Sequence, residues 1–243
     1  MKQLALRLPQ RGGKRKGAGR KRIAPRPRVS HKCRPRFSKA APVLVTLRVA
    51  FGVWNLRSRR CFRIIEDCLC DARDRFGLRV IEFSVLGNHL HLIVEADSDV
   101  ALSRGMQGLG VRLARALNRR MRRRGSVFHD HYHSRLLASP TELVSAIGYV
   151  LGNHAHHFGG APSCRDPFCS SAYEVARRQT VLSQPRTWLL RDGWRRARRI
   201  PQWIDVSEWG KPQRYVNADP WSIGGRSTVP LTPSRQTASP PAP

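Results

Sequence analysis

The sequence predicts an α+β domain built on an antiparallel sheet. Three observations carry this. Three short runs alternate apolar and polar residues, as half-buried strands do. Longer stretches between and after them repeat apolar residues at steps of three and four, as helices do. Two of the strand-like runs are joined by Gly87-Asn88, a turn dipeptide that signals a hairpin.

The elements follow in order. Residues 43–49 form the first strand, with Val43, Val45, Leu47 and Val49 on one face. A helix follows, with Phe62, Ile65, Leu69, Ala72 and Phe76 as its apolar stripe and Gly77 as its stop. Residues 79–86 are the second strand and 89–95 the third. A long basic helix spans about Ser98 to Arg124, striped by Leu102, Met106, Leu109, Leu113, Leu117 and Met121. A short strand is expected near 134–137. The last helix opens on Ser139, Pro140 and Glu142, the signature of a capping box with proline in the first turn. It runs to about Asn153, with Leu143, Ile147 and Val150 toward the core. This order suggests a ferredoxin-like (RRM-like) sheet, covered by helices on one face and open on the other.

Composition narrows the function. The 243 residues carry 45 Lys and Arg against 16 Asp and Glu, a formal net charge of +29. Such a charge calls for a polyanionic partner, and nucleic acid is the expected one. No apolar run approaches the ~18–20 residues of a membrane span. The basic start leads into more basic residues rather than an apolar stretch, so no secretory signal is expected. Six cysteines without metal-type Cys-x-x-Cys pairs point to a reduced, cytoplasmic protein rather than a disulfide scaffold. Cys61, Cys68 and Cys70 read as small core or boundary residues of the first helix.

The charge is concentrated. Residues 1–41 read as a disordered basic arm, too poor in apolar surface to offset its ordering entropy. Arg15, Lys16 and Arg20 in its Gly-rich centre are candidate phosphate contacts. Arg112, Arg115 and Arg119 on the long helix are others, with no acidic residue nearby to balance them. Residues 42–175 form the domain. Residues 176–228, rich in Trp and Arg, form an extension whose tryptophans anchor packing or stack on unpaired bases. Residues 229–243 read as a disordered tail.

Candidate chemistry lies on the third strand. Alternation puts Leu90, Leu92 and Val94 on one face and His89, His91, Ile93 and Glu95 on the other. Two imidazoles about 6.5 Å apart along a strand can converge on one divalent ion. On the last helix, Tyr149 and Asn153 stack one turn apart, with Glu142 and Ser145 on their stripe and away from the core residues.

The combination resembles a known family. Asn88-His89-Leu90-His91, followed by Tyr149-x-x-x-Asn153 in this element order and charge, is similar to the single-tyrosine transposases of the His-hydrophobic-His class. These are the insertion-sequence 200-like group, and within it the REP-associated tyrosine transposases. The stretch 125–135, with Tyr132, His133 and Arg135, is also family-like and adds Arg135 to the candidate nucleic-acid contacts. The resemblance implies a metal-dependent endonuclease and strand transferase acting on single-stranded DNA with palindromic hairpins. It implies Tyr149 as nucleophile, His89, His91 and Asn153 as ligands of Mg²⁺ or Mn²⁺, a 5′-phosphotyrosine intermediate, and a monomer or homodimer associated with the nucleoid. The physical logic agrees. A tyrosine with its ordinary pKa of about 10 is phenolate in roughly one molecule per thousand at pH 7, a deficit of about 4 kcal/mol that a cation can offset.

Alternatives stay open at this point. His154, His156 or His157 competes with Asn153 as third ligand, and Tyr132 is the rival nucleophile. His129, His131 and His133 form a further cluster with zinc-like spacing, the basis of a zinc-hydrolase reading. A non-catalytic nucleic-acid-binding protein on the same sheet is the other alternative.

Overall fold

A computed structural model describes residues 34, 36–159, 166–202 and 204. The chain divides into Met1–Gly210 and Lys211–Pro243, and the second unit lies outside the described residues. So do Arg15, Lys16, Arg20, Trp203, Trp209, Tyr215, Trp221 and the residue 229–243 tail.

The elements are β1 (Ala41–Arg48), α1 (Arg59–Ala72), β2 (Leu78–Val85), β3 (His89–Ala96), α2 (Asp99–Met121), β4 (His133–Leu136), α3 (Pro140–Phe158), α4 (Val175–Val181) and α5 (Trp188–Arg191). The four strands pair antiparallel in the order β2-β3-β1-β4, the arrangement the sequence predicts. Side-chain alternation then sorts the sheet. Val43, Val45 and Leu47 of β1 stand opposite Val94, Leu92 and Leu90 of β3 and are buried under α1 and α2. Leu44 and Thr46 stand opposite Ile93 and His91 on the other face.

That second face is not open. The helix stripe of α3, Leu143, Ile147 and Val150, packs onto Ile81 and Ile93, joined by Leu190 of α5. Ile81 reaches this core through a bulge in β2, which shifts the register against β3 between Val80 and Glu82. The expectation of helices on one face alone is therefore corrected. Leu44, Ile81 and Ile93 make an apolar patch that a helix must cover, and the apolar stripe of α3 covers it.

Serine caps start three of the helices, and the one at Ser139 is the one the sequence predicts. Ser58, Ser98 and Ser139 accept from the backbone N–H groups of Cys61, Ala101 and Glu142. The Glu142 carboxylate turns back to the Ala138 N–H at 2.9 Å. The end of α1 differs from expectation. It stops at Ala72, and Phe76 lies beyond it at φ 59°, more than half exposed, instead of extending the stripe. Asp74 and Phe76 both take left-handed backbone, so the chain reverses before Gly77 is reached.

Residues 166–187 dock onto the core through buried carboxylates. Arg57 forks onto Asp166 at 2.7 and 2.8 Å. Glu66 meets Tyr173 and Arg177, and Glu82 meets Ser170 and Arg178. Glu95, fully buried, takes Arg79 at 2.6 Å and the N–H groups of Arg186 and Thr187, so it ties down the residues that lead into α5. Trp194 packs on the second core, while Trp188 is half exposed beneath the Arg196 guanidinium.

Helix α2 approaches β2 closely because Gly105 has no side chain. A Cβ there would stand 2.4 Å from the Leu78 Cβ, which is fixed to the strand backbone. Alanine normally gains about 1 kcal/mol over glycine in a helix. Here overpacking of about 1–3 kcal/mol opposes it. Gly105→Ala is therefore expected to lower the denaturation midpoint; a midpoint at or above wild type would show that α2 can shift outward freely.

Candidate active site

The sheet pairing builds the centre of the site. His89 and His91 project from β3 onto the second face, with ring centroids 4.8 Å apart. Each ring is held at its Nδ1. Asn88 Oδ1 lies 2.7 Å from Nδ1 of His89. An amide oxygen only accepts, so Nδ1 carries the proton and Nε2 keeps its lone pair. Thr46 Oγ1 holds Nδ1 of His91 at 2.9 Å from the neighbouring strand. Burial keeps both rings neutral. It pushes the pKa of His91 down to about 4, with help from His89 and His157, and lowers that of His89 as well.

Helix α3 brings a second row against this pair. Tyr149, Asn153 and His157 recur every four residues on one stripe. The Tyr149 hydroxyl lies 3.3 Å from His91 Nε2, and the rings are 5.0 Å apart. The His157 ring lies 6.0 Å from that of His89. Asn153 stands between these two contacts along the helix. It is 1% exposed, and neither its Oδ1 nor its Nδ2 has a hydrogen-bond partner among the described residues. Tyr149 is 45% exposed and so open to a large substrate.

Among the described residues, the other two tyrosines are engaged elsewhere. Tyr132 packs against the helix-covered core, with the Arg34 guanidinium 3.8 Å above its ring. Tyr173 is buried and donates to Glu66, and burial beside that carboxylate pushes its pKa up. His129, His131 and His133 line a cavity of about 510 Å³ together with His89 and His91. Among the described residues, no three His, Cys, Asp or Glu side chains converge as a metal site. The zinc reading of that cluster has no support there.

The predicted nucleic-acid contacts separate. Arg135 of β4 lines a cavity of about 400 Å³ beside Tyr149, Glu142 and Ser145. Arg112, Arg115 and Arg119 lie on α2, in the layer on the opposite side of the sheet. The sequence reading missed Thr46 and the orienting bond from Asn88. Alternation puts Thr46 on the histidine face, but its pairing with His91 needs the strand register.

The Asn88 contact fixes a tautomer that can be observed. Nitrogen NMR at neutral pH should find His89 protonated at Nδ1, and Asn88→Ala should move the proton toward Nε2. An Nε2–H form in the wild type would contradict the orienting bond.

Known proteins resemble this chain in sequence pattern and in fold. The model of the IS200-like transposase family matches residues 55–150, a stretch that contains both histidines and Tyr149. No curated protein matches the chain. A solved REP-associated tyrosine transposase, bound to a REP hairpin, superposes with a TM-score of 0.51 at 14% identity, covering 61% of this chain and 87% of that one. A candidate transposase from Deinococcus radiodurans R1 matches at 15% identity with a TM-score of 0.36, over 47% of this chain and 91% of its own. At 14% identity the first likeness is one of fold. Through residues 55–150, this chain is similar to the IS200-like transposases.

Proposed function

We propose that this chain is a transposase that cuts and rejoins single-stranded DNA, with Tyr149 as the nucleophile. His89, His91 and Asn153 would hold a divalent cation, Mg²⁺ or Mn²⁺. The observation that carries the reading is the Tyr149 hydroxyl, half open to solvent, 3.3 Å from Nε2 of a buried neutral histidine.

The residues fit such a cation. A buried amide without partners costs about 1–3 kcal/mol, and ligation through Oδ1 of Asn153 would recover part of it. Neutral imidazole is the form that ligates, and outer hydrogen bonds to Asn88 and Thr46 orient both rings as metal-bound histidines require. Two imidazoles with oxygen donors suit Mn²⁺, and Mg²⁺ when phosphate oxygens join. A cation bound there would polarise the scissile phosphate and offset charge developing on it.

The chain's own part is the transesterification. The Tyr149 oxygen bonds to phosphorus as the bond to the 3′ oxygen breaks. The phenol proton passes to water, and the departing oxygen takes a proton to become a 3′-hydroxyl. The product is a 5′-phosphotyrosine that retains the bond energy, so attack by another 3′-hydroxyl rejoins a strand without ATP. Arg135, beside the Tyr149 cavity, would meet the backbone of the strand being cut. The α2 arginines, with Arg15, Lys16 and Arg20, would meet phosphates away from the cut. The hairpin in the solved REP-associated transposase supports hairpin-bearing DNA as the substrate.

A covalent-adduct assay tests the reading. The protein is mixed with labelled hairpin-bearing single strands from the gene's flanks, with Mn²⁺ or with EDTA, and run under denaturing conditions. A metal-dependent adduct is expected, reduced about 10³-fold or more in Tyr149→Phe. Full cleavage by that variant would overturn the assignment. Salt-sensitive binding without an adduct would favour a non-catalytic DNA-binding protein.

Because Tyr149 lies against the His91 of its own chain, each chain should carry a whole site. Mixing Tyr149→Phe with His91→Ala protein should restore no cleavage. Recovery in the mixture would mean that the tyrosine serves a partner's histidines.

A further inference from the structure

The loop between β1 and α1 presents two aromatic rings that no packing role explains. Phe51 is fully exposed and Trp54 is 45% exposed. Their presentation is built rather than slack. Val53 N–H donates to Ala50 carbonyl at 3.3 Å, with Gly52 at φ 83°, a turn that needs glycine at its third position and holds Phe51 at its tip. The loop is strapped to the residues leading into His89. Val49 N–H donates to Asn88 carbonyl and Leu56 N–H to Gly87 carbonyl, both at 2.9 Å, while Ala50 N–H bonds Val127 carbonyl. Leu56 is sealed in the core, so the strap has a fixed end.

Between the loop and the histidines lies a cavity of about 410 Å³, lined by Val53, Asn55, Leu86, Gly87, His89 and His157. Asn55, Asn88, His89 and His157 give it polar walls beside Val53 and Leu86, and its size suits a small planar ligand. Asn55 Oδ1 accepts from Arg57 N–H at 2.9 Å, which pins the amide at the cavity wall. The surroundings are basic: no acidic residue precedes Glu66 in the chain, and Arg48, Arg59 and Arg60 flank the loop as exposed cations. Exposed rings among cations suit unpaired bases on a phosphate backbone better than an apolar protein surface.

We propose that this loop is a base-stacking platform for single-stranded DNA. Phe51 and Trp54 stack successive unpaired bases, and the cavity at Val53 and Asn55 takes the base nearest His89. The inference rests on the reading of the site as a single-strand nuclease and adds where the unpaired strand lies. It makes the loop a determinant of binding and not of the chemical step.

The test uses the full chain with oligothymidylate, an abasic strand of equal length, a blunt duplex and the matching oligouridylate. Phe51→Ala and Trp54→Ala should each weaken oligothymidylate binding about 5- to 100-fold, the range of one base–aromatic stack. The slope of log affinity against log salt should stay unchanged, because no phosphate contact is lost. Neither substitution should alter binding of the abasic strand. Trp54→Phe should retain affinity while losing much of the tryptophan quenching seen on binding. Both positions are exposed, so unchanged circular dichroism and melting should accompany these effects. Wild-type affinity in both alanine variants would overturn the proposal, as would equal losses on the abasic strand or tighter binding of RNA than DNA. Self-association of the wild type that disappears in Phe51→Ala would assign the rings to a second copy instead. The adduct assay separates the two readings. Adducts with no effect of the loop variants would sink the platform alone, and ring-dependent binding without any adduct would sink the nuclease alone.

Discussion

Leu143, Ile147 and Val150 of α3 pack on Ile81 and Ile93, and that apolar contact decides where Tyr149 stands. A helix carries its side chains at fixed angles, so seating one stripe on the sheet aims its neighbour. Tyr149, Asn153 and His157 are then held over His91 and His89, whose own direction follows from the two-residue period of β3. The site is the seam between a sheet face and a helix edge. Its accuracy depends on how well that small second core is packed, and Ile81 enters that core only because β2 carries a bulge.

A second constraint is charge. A chain with net charge +29 repels itself when it compacts. Among the described residues, Glu66, Glu82, Glu95 and Asp166 are buried, and each is bonded to an arginine. Such pairs owe little net stability to their burial, because desolvation consumes the Coulomb gain. Their geometry still matters. Asp166 lies beyond α3 and pairs with Arg57. Glu66, Glu82 and Glu95 take partners from residues 170–187, so the segment after α3 docks in one arrangement. Among the described residues, that segment packs against β2 and β3, and Tyr149 is 45% exposed.

The two sides of the sheet differ in charge. On the side covered by α1 and α2, Arg115 and Arg119 lie exposed, where the proposed phosphate contacts would be made without sequence preference. The other side is less charged at its centre. His89 and His91 are neutral there, oriented by Asn88 and Thr46, and a buried unpaired amide lies one helical turn from the tyrosine. A site of this kind is costly for folding alone, since it leaves Asn153 unsatisfied. It is the sort of local conflict that function imposes on an otherwise consistent fold.

The order of elements, the strand faces and the caps were written in local patterns: alternation in Val43–Val49, the four-residue stripe from Leu102 to Leu117, and Ser139-Pro140 before α3. These depend on neighbours a few residues apart, so the chain alone determined them. His89, His91, Tyr149 and Asn153 could be picked out as candidates because their spacing matches a family pattern, though no local rule joins residue 91 to residue 149. Phe76 misled because its step fits a helix, while the left-handed turn after Ala72 had no local marker. Tertiary structure alone decided that α3 covers the second face, that Thr46 meets His91 and that buried carboxylates take the C-terminal segment. Each of these is a contact between residues far apart in sequence. Register, bulges and layer packing settle such contacts through the whole core at once, and no window along the chain contains them.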